Sequence, residues 1–194
     1  MGVDQEVSAA RKAERAVFLD RDGVLNAAVV RQGRPYPPIR VDDLEILPGV
    51  RPALEDLKRA GFLLVVVTNQ PDVRRGAQTR AAVDAIHDRL RAELPIDAIY
   101  CCFHDDDDAC GCRKPAPGML LEAARERGID LAASFMVGDR WRDVEAGAAA
   151  GCRTVFVDYA YSERRPQTFD RNVSSLAEAA AWILDNDAAE RSHV

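Results

Sequence analysis

Two carboxylates one residue apart, Asp20 and Asp22, follow directly on the apolar run Ala16-Val17-Phe18-Leu19, with Gly23 beside them. A buried strand that ends this way delivers both acids at its carboxyl end, and a glycine there lets the backbone turn sharply. Clustered carboxylates repel one another unless positive charge stands among them, and a hard divalent cation with oxygen ligands is the usual answer. Two other runs end alike. Gly61 to Val67 is continuously apolar, as strands buried on both faces are, and closes on Thr68-Asn69-Gln70. Ser134-Phe135-Met136-Val137 closes on Gly138-Asp139, followed by Asp143. Between them stands Arg113-Lys114-Pro115, a fixed positive charge suited to a phosphate or a carboxylate. Open α/β sheets bind ligands just beyond the carboxyl ends of their strands, so all of these groups are expected at one edge.

A second constellation is more local. Cys102, His104, Cys110 and Cys112 lie within eleven residues, directly before Arg113. Three sulfurs and an imidazole at that spacing match a closed, tetrahedral Cys₃His zinc site, which would staple the loop 101–113 and order its four successive acids, Asp105 to Asp108. A disulfide or free buried thiols are the alternative readings, and Cys101 competes with Cys102 for the first ligand position. Cys152 reads as a small core residue, and His87 and His193 as solvated or structural.

The elements that must position these groups alternate. Strands are expected at 16–19, 62–67, 97–101, 134–137 and 154–157, and helices at 48–60, 79–94, 118–127, 142–150 and 174–186. The excursion 33–38 is too proline-rich for a helix or a central strand and is expected near the mouth of the site, where it can help select substrate. A single domain over 15–187 with polar tails at 1–14 and 188–194 accounts for the 194 residues. The chain is 47% hydrophobic, carries a net charge of −6 and has no apolar run long enough for a bilayer. Together with a charged segment 1–15 that lacks a signal peptide's apolar centre, this predicts a cytoplasmic monomer with no membrane partner. The acidic balance argues against nucleic acid as a partner.

The four motifs Asp20-Arg21-Asp22-Gly23, Thr68-Asn69-Gln70, Lys114 and Gly138-Asp139…Asp143 resemble, in identity and order, those of haloacid dehalogenase-type phosphohydrolases. Within them the chain is similar to the small subfamily that holds heptose bisphosphate phosphatases and histidinol phosphate phosphatases. The resemblance implies a Rossmann-like three-layer fold with parallel sheet order 3-2-1-4-5, and a zinc-stapled loop where larger relatives carry a cap domain. It implies Asp20 as nucleophile, forming an aspartyl-phosphate, and Asp22 as acid and base, with surroundings that raise the Asp22 pKa while Asp20 stays ionised. It implies Mg²⁺ on the Asp20 carboxylate, the Asp22 carbonyl and Asp139, with Asp143 in support. Thr68, Asn69, Gln70, Arg113, Lys114 and Arg140 are then the phosphate and substrate contacts, and Cys-x-His spacing selects Cys102 with His104, Cys110 and Cys112 for structural Zn²⁺. The implied substrate is a small phosphorylated sugar, with removal of the C7 phosphate of D-glycero-D-manno-heptose 1,7-bisphosphate as the first reading. Histidinol phosphate is the alternative, its amine drawn by Asp105 to Asp108, and a noncatalytic zinc-stabilised phosphosugar-binding domain is the alternative of another class. The chain departs from the subfamily pattern at Pro71-Asp72-Val73-Arg74-Arg75-Gly76 and at Arg140, where relatives carry a glycine-containing turn and a lysine. Either change could serve to grip a second phosphate.

Overall fold

A computed structural model describes residues 13–191, with side chains through residue 189, so residues 1–12 and 192–194 of the expected tails, His193 among them, lie outside the described residues. In chain order the elements are β1 (Arg15–Leu19), the hairpin strands β2 (Val29–Arg31) and β3 (Arg34–Tyr36), α1 (Val50–Arg59), β4 (Phe62–Asn69) and α2 (Arg80–Glu93). There follow β5 (Ala98–Cys102), α3 (Gly118–Arg127), β6 (Phe135–Gly138), α4 (Trp141–Ala150), β7 (Arg153–Val157), β8 (Arg171–Val173) and α5 (Leu176–Arg191).

The apolar run of β1 shows why the strands lack polar alternation. Val17 and Leu19 pack with Leu54 and Leu57 of α1, Ile86 and Leu90 of α2 and Ile183 of α5. Ala16 and Phe18 face the other way, onto Met119, Leu120 and Ala123 of α3 and Ala146 of α4. With helices on both sides the residues of the central strands meet a core on either face, which makes three layers and a parallel sheet. The order is β5-β4-β1-β6-β7-β8, with all neighbours parallel. The five strands expected from the sequence take their expected order, and β1 pairs with both β4 and β6. Trp182 of α5 closes one face with its ring edge-on to Phe135 at 5.9 Å.

One feature corrects the sequence reading and one fills it in. β8 extends the sheet beyond the fifth strand; its three residues, two of them exposed, carry too little apolar pattern to announce a strand. The excursion around residues 33–38 is, as expected, neither helix nor central strand; it contributes one arm of a separate antiparallel hairpin in which Arg31 pairs with Arg34 across Gln32-Gly33. Both turn residues have positive φ, 52° and 74°, the backbone whose twist suits a two-residue hairpin, and a two-stranded ribbon tolerates Pro35 because it has free edges on both sides. Among the described residues no cap domain is inserted; the hairpin and the loop after β5 are what stands over the sheet edge.

Candidate active site

Parallel strands bring their carboxyl ends to one edge, and the registers Leu19↔Val66 and Leu19↔Val137 place the groups that follow β1, β4 and β6 side by side. There Lys114, 2% exposed, sends its ammonium to Asp20 Oδ1 at 2.7 Å, Asp143 Oδ1 at 2.5 Å and the Val67 carbonyl at 2.7 Å. The Lys114 backbone is held by a reciprocal pair: Asn69 Nδ2 donates to its carbonyl at 3.0 Å, and its N–H donates to Asn69 Oδ1 at 3.1 Å. Asp143 also accepts from the Arg140 N–H at 3.0 Å at the start of α4, so one carboxylate fixes both the lysine and the helix.

Asp20, Asp139 and Asp143 form a compact triad, with one oxygen from each within 4.8 Å of the others, and all three are buried. The protein supplies one buried ammonium for these three carboxylates. Both Asp139 oxygens lack a hydrogen-bond partner. Burial, then the charges of Asp20 and Asp143, push the Asp139 pKa well above the ordinary range, with a small opposing pull from Arg140 and the nearby Tyr161 hydroxyl. A buried carboxylate with neither hydrogen bonds nor a counterion is costly, and a divalent cation shared by Asp139 and Asp20 removes that cost. The donor set of hard oxygens therefore fits Mg²⁺. Gly23 belongs to this design: its φ is +93° and a Cβ there would overlap the Asp139 carboxylate.

The two acids of β1's end behave in the reverse of the expected way. Burial pushes Asp20 up to about 6; Lys114 opposes this, and the charges of Asp143 and Asp22 add to it. Asp22 is also desolvated, but Arg21, Asn26 and Gln70 outweigh that and hold it below the usual carboxylate range. Its oxygens accept from Arg21 at 2.9 Å, Asn26 Nδ2 at 2.9 Å and Gln70 Nε2 at 2.9 Å. Arg21 is fully buried and leans on His87, whose pKa is lowered to about 4 by burial and by that arginine, so the ring is neutral and accepts from the guanidinium. The sequence reading assigned no task to Arg21 or Asn26; the only signal was their place either side of the second acid.

Asp20, Asp22, Thr68, Asn69, Arg113, Lys114, Arg140 and Asp143 all line one cavity of about 360 Å³. Gln70, expected as a substrate contact, does not reach its wall: it is fully buried, bridging Asp22 and Thr68 Oγ1 at 2.9 Å each. The hairpin contributes Arg34 to Pro37 to the opposite wall.

The strand β5, paired to β4 with Asn69 beside Cys102, carries the second cluster to the same edge. Cys112 Sγ lies 3.2 Å from Cys102 Sγ, 3.4 Å from Cys110 Sγ and 3.4 Å from His104 Nδ1, and Cys102 Sγ lies 3.7 Å from Cys110 Sγ and 3.6 Å from His104 Nδ1. A tetrahedral ion with Zn–S bonds of about 2.3 Å requires edges of about 3.8 Å, so these four atoms fit zinc with little rearrangement. Cys101 stays out of the cluster, because adjacent strand residues point to opposite faces. The four acids after His104 are mostly paired: Asp105 with Arg75, Asp106 with Arg113 and Arg142, and Asp108 with Arg74.

A family model described as haloacid dehalogenase-like hydrolase matches residues 26–151, and the chain belongs to that family. Among similar curated proteins, the D-glycero-beta-D-manno-heptose-1,7-bisphosphate 7-phosphatase of Escherichia coli K12 is 39% identical over 187 residues, covering 90% of this chain and 91% of its own. The protein of the same name from Bordetella bronchiseptica is 40% identical over 146 residues, covering 71% and 77%. A crystal structure of D,D-heptose 1,7-bisphosphate phosphatase from B. bronchiseptica with magnesium and phosphate superposes with a TM-score of 0.75 at 35% identity, covering 89% of this chain and 99% of that one. The corresponding enzyme from Burkholderia thailandensis gives 0.61 at 28% identity, over 88% and 99%.

Proposed function

We propose that this chain is a Mg²⁺-dependent phosphomonoester hydrolase that removes the C7 phosphate of D-glycero-D-manno-heptose 1,7-bisphosphate, acting as a cytoplasmic monomer with a structural zinc. The observation that carries the reaction is the buried Asp20–Asp139–Asp143 triad, with one lysine among its carboxylates, two unpartnered Asp139 oxygens, and Asp20, Asp143 and Lys114 lining a cavity. Similarity over nine tenths of both chains to phosphatases named for that sugar supports the substrate.

In this reading an Asp20 oxygen bonds to phosphorus as the bond to the sugar C7 oxygen breaks, with Asp22 giving that oxygen its proton. Asp22 then takes a proton from the water that attacks the aspartyl-phosphate, and inorganic phosphate leaves. The hydrogen bonds from Arg21, Asn26 and Gln70 favour ionised Asp22, the form the second step needs; the negative charge of an arriving phosphate favours the protonated form that the first step needs. Lys114 neutralises Asp20 and with Thr68 faces the phosphate oxygens. Asp20, the Asp22 carbonyl and Asp139 would hold Mg²⁺, which would supply charge neutralisation at the phosphoryl group. Arg113 and Arg140 stand on the wall that faces the rest of the sugar. Zinc on Cys102, His104, Cys110 and Cys112 fixes the loop that carries Arg113 and Lys114.

The histidinol phosphate alternative leaned on Asp105 to Asp108 as an attractor for an amine, and three of those four carboxylates are engaged by arginines. The test is phosphate release with Mg²⁺ from both anomers of the heptose bisphosphate and from histidinol phosphate, with Asp20→Asn as blank. Preferential heptose turnover is expected; preferential histidinol phosphate turnover would overturn the substrate, and turnover of neither would leave only the reaction class.

A further inference from the structure

Five arginines line the catalytic cavity: Arg34, Arg75, Arg113, Arg140 and Arg142. Four are already committed to carboxylates. Arg75 is paired with Asp105 at 2.5 Å, Arg113 with Asp106 at 2.8 Å, Arg142 with Asp106 at 3.0 Å, and Arg140 grips both oxygens of Glu163 at 2.9 and 2.6 Å. An arginine that already holds a bidentate carboxylate must give it up before it can hold a phosphate. Arg34 has nothing to give up: no ion pair or hydrogen bond reaches its guanidinium among the described residues, and it is exposed on the cavity wall.

Its place narrows the choice further. Arg34, Arg140 and Arg142 line both the catalytic cavity and an adjoining outer cleft of about 450 Å³ that also takes in Trp141, Ser162 and Arg164, so all three stand where the two spaces meet, and of the three Arg34 alone has no carboxylate partner among the described residues. The hairpin that carries it is braced: the Ser162 N–H donates to the Gly33 carbonyl at 2.8 Å, and a Cβ on Gly33 would overlap the Ser162 side chain. Lys114 is buried and serves the reacting phosphate, whereas Arg34 lines the same cavity from an exposed position on the hairpin.

We infer that Arg34 is a specificity-determining residue that grips a second phosphate, distal to the one hydrolysed, at the junction of the catalytic cavity and the outer cleft. This deepens the phosphosugar reading above and rests on it. A planar guanidinium free of partners suits two phosphate oxygens at once, where an ammonium offers only a point charge.

The test compares matched substrates that differ only in the distal phosphate: heptose 1,7-bisphosphate against heptose 7-phosphate, and a hexose 1,6-bisphosphate against the hexose 6-phosphate. For Arg34→Ala, kcat/KM on the bisphosphates should fall roughly 10- to 100-fold, mostly through KM, with the monophosphates changed less than about threefold. Arg34→Lys should recover part of the loss. Gly33→Ala, which displaces the hairpin while keeping the arginine, should reproduce the same selective loss with the melting temperature of the sheet domain preserved. Equal loss on both members of a pair, or no loss on either, overturns the inference. If only the hexose pair is hydrolysed and shows the Arg34-dependent gap, the heptose reading fails and the inference stands.

Discussion

The carboxylate cluster and the sulfur cluster stand at the ends of strands in the same sheet, each with its ligand atoms within 4.8 Å of one another, and they are opposites in every other respect. Asp20 and Asp139 follow two neighbouring strands far apart in the chain and Asp143 sits in the first turn of α4; all three are buried and offer hard oxygens, and Asp20 and Asp143 border a cavity. Cys102, His104, Cys110 and Cys112 come from the end of β5 and the short loop that follows it, all but Cys102 are at least partly exposed, and together they offer soft donors and fill a tetrahedron with protein atoms alone. A site with every position occupied by the protein can stiffen a loop and do little else; a site with fewer protein donors than its cation accepts leaves room for a substrate oxygen. The difference teaches which cluster does chemistry before any relative is consulted.

The sharpest way to break this contrast is to damage each cluster and ask whether the other notices. Asp20→Asn should lower kcat by roughly 10⁴-fold or more, because the nucleophile is removed, while the zinc content per chain stays at one. Activity close to that of the parent would end the nucleophile assignment. Cys110→Ser should do the converse. Structural zinc contributes about 10–16 kcal/mol of apparent free energy in small zinc peptides, but here the sheet stands independently, so the loss should be confined to the loop 103–112. Metal analysis should then find no zinc, and limited proteolysis should cut that loop, with phosphatase activity reduced through Arg113 and Lys114 rather than abolished.

The sequence made the two clusters legible to different depths, and for a physical reason. The sulfur cluster is local, so spacing alone pointed to a metal site there, while the choice of Cys102 over Cys101 rested on the family resemblance and is matched by the pleat of β5, which keeps Cys101 out of the cluster. The strands were legible because burial on both faces makes them continuous apolar runs, and Asp20, Thr68 and Asp139 were found by being next after them. Side-chain partnership was not legible. Nothing in the spacing of Asp20 and Asp22 said that three carboxylates would crowd the first while Arg21, Asn26 and Gln70 would satisfy the second, and so their expected pKa order came out reversed. Arg140 and Arg113 were visible as charges, but their carboxylate partners Glu163 and Asp106 were not, and the hairpin that frees Arg34 was hidden by its prolines.

Two smaller perturbations refine the comparison. Gly23→Ala keeps every ligand residue but drives a methyl group into the Asp139 carboxylate and displaces it, at a backbone φ of +93°. It should weaken Mg²⁺ binding about 10- to 100-fold, as displaced ligand geometry does, so that activity returns at high Mg²⁺ concentration while zinc content is untouched. Failure of excess Mg²⁺ to restore turnover would mean that Gly23 serves the backbone turn alone.

The smallest effect is expected where the two clusters touch. Asp106 lies in the zinc loop, its side chain is 52% exposed, and it pairs with Arg113 at 2.8 Å and Arg142 at 3.0 Å on the cavity wall. Exposed pairs of this kind contribute about 0.2–1 kcal/mol, so Asp106→Asn should barely move the melting temperature. It should, however, release two guanidinium groups toward the cavity. KM for a bisphosphate should then fall by roughly two- to fivefold, the equivalent of up to about 1 kcal/mol, with kcat unchanged. A rise in KM instead would show that Asp106 is there to aim Arg113, and that the acidic loop serves the substrate site by positioning its arginines and not by holding them in reserve.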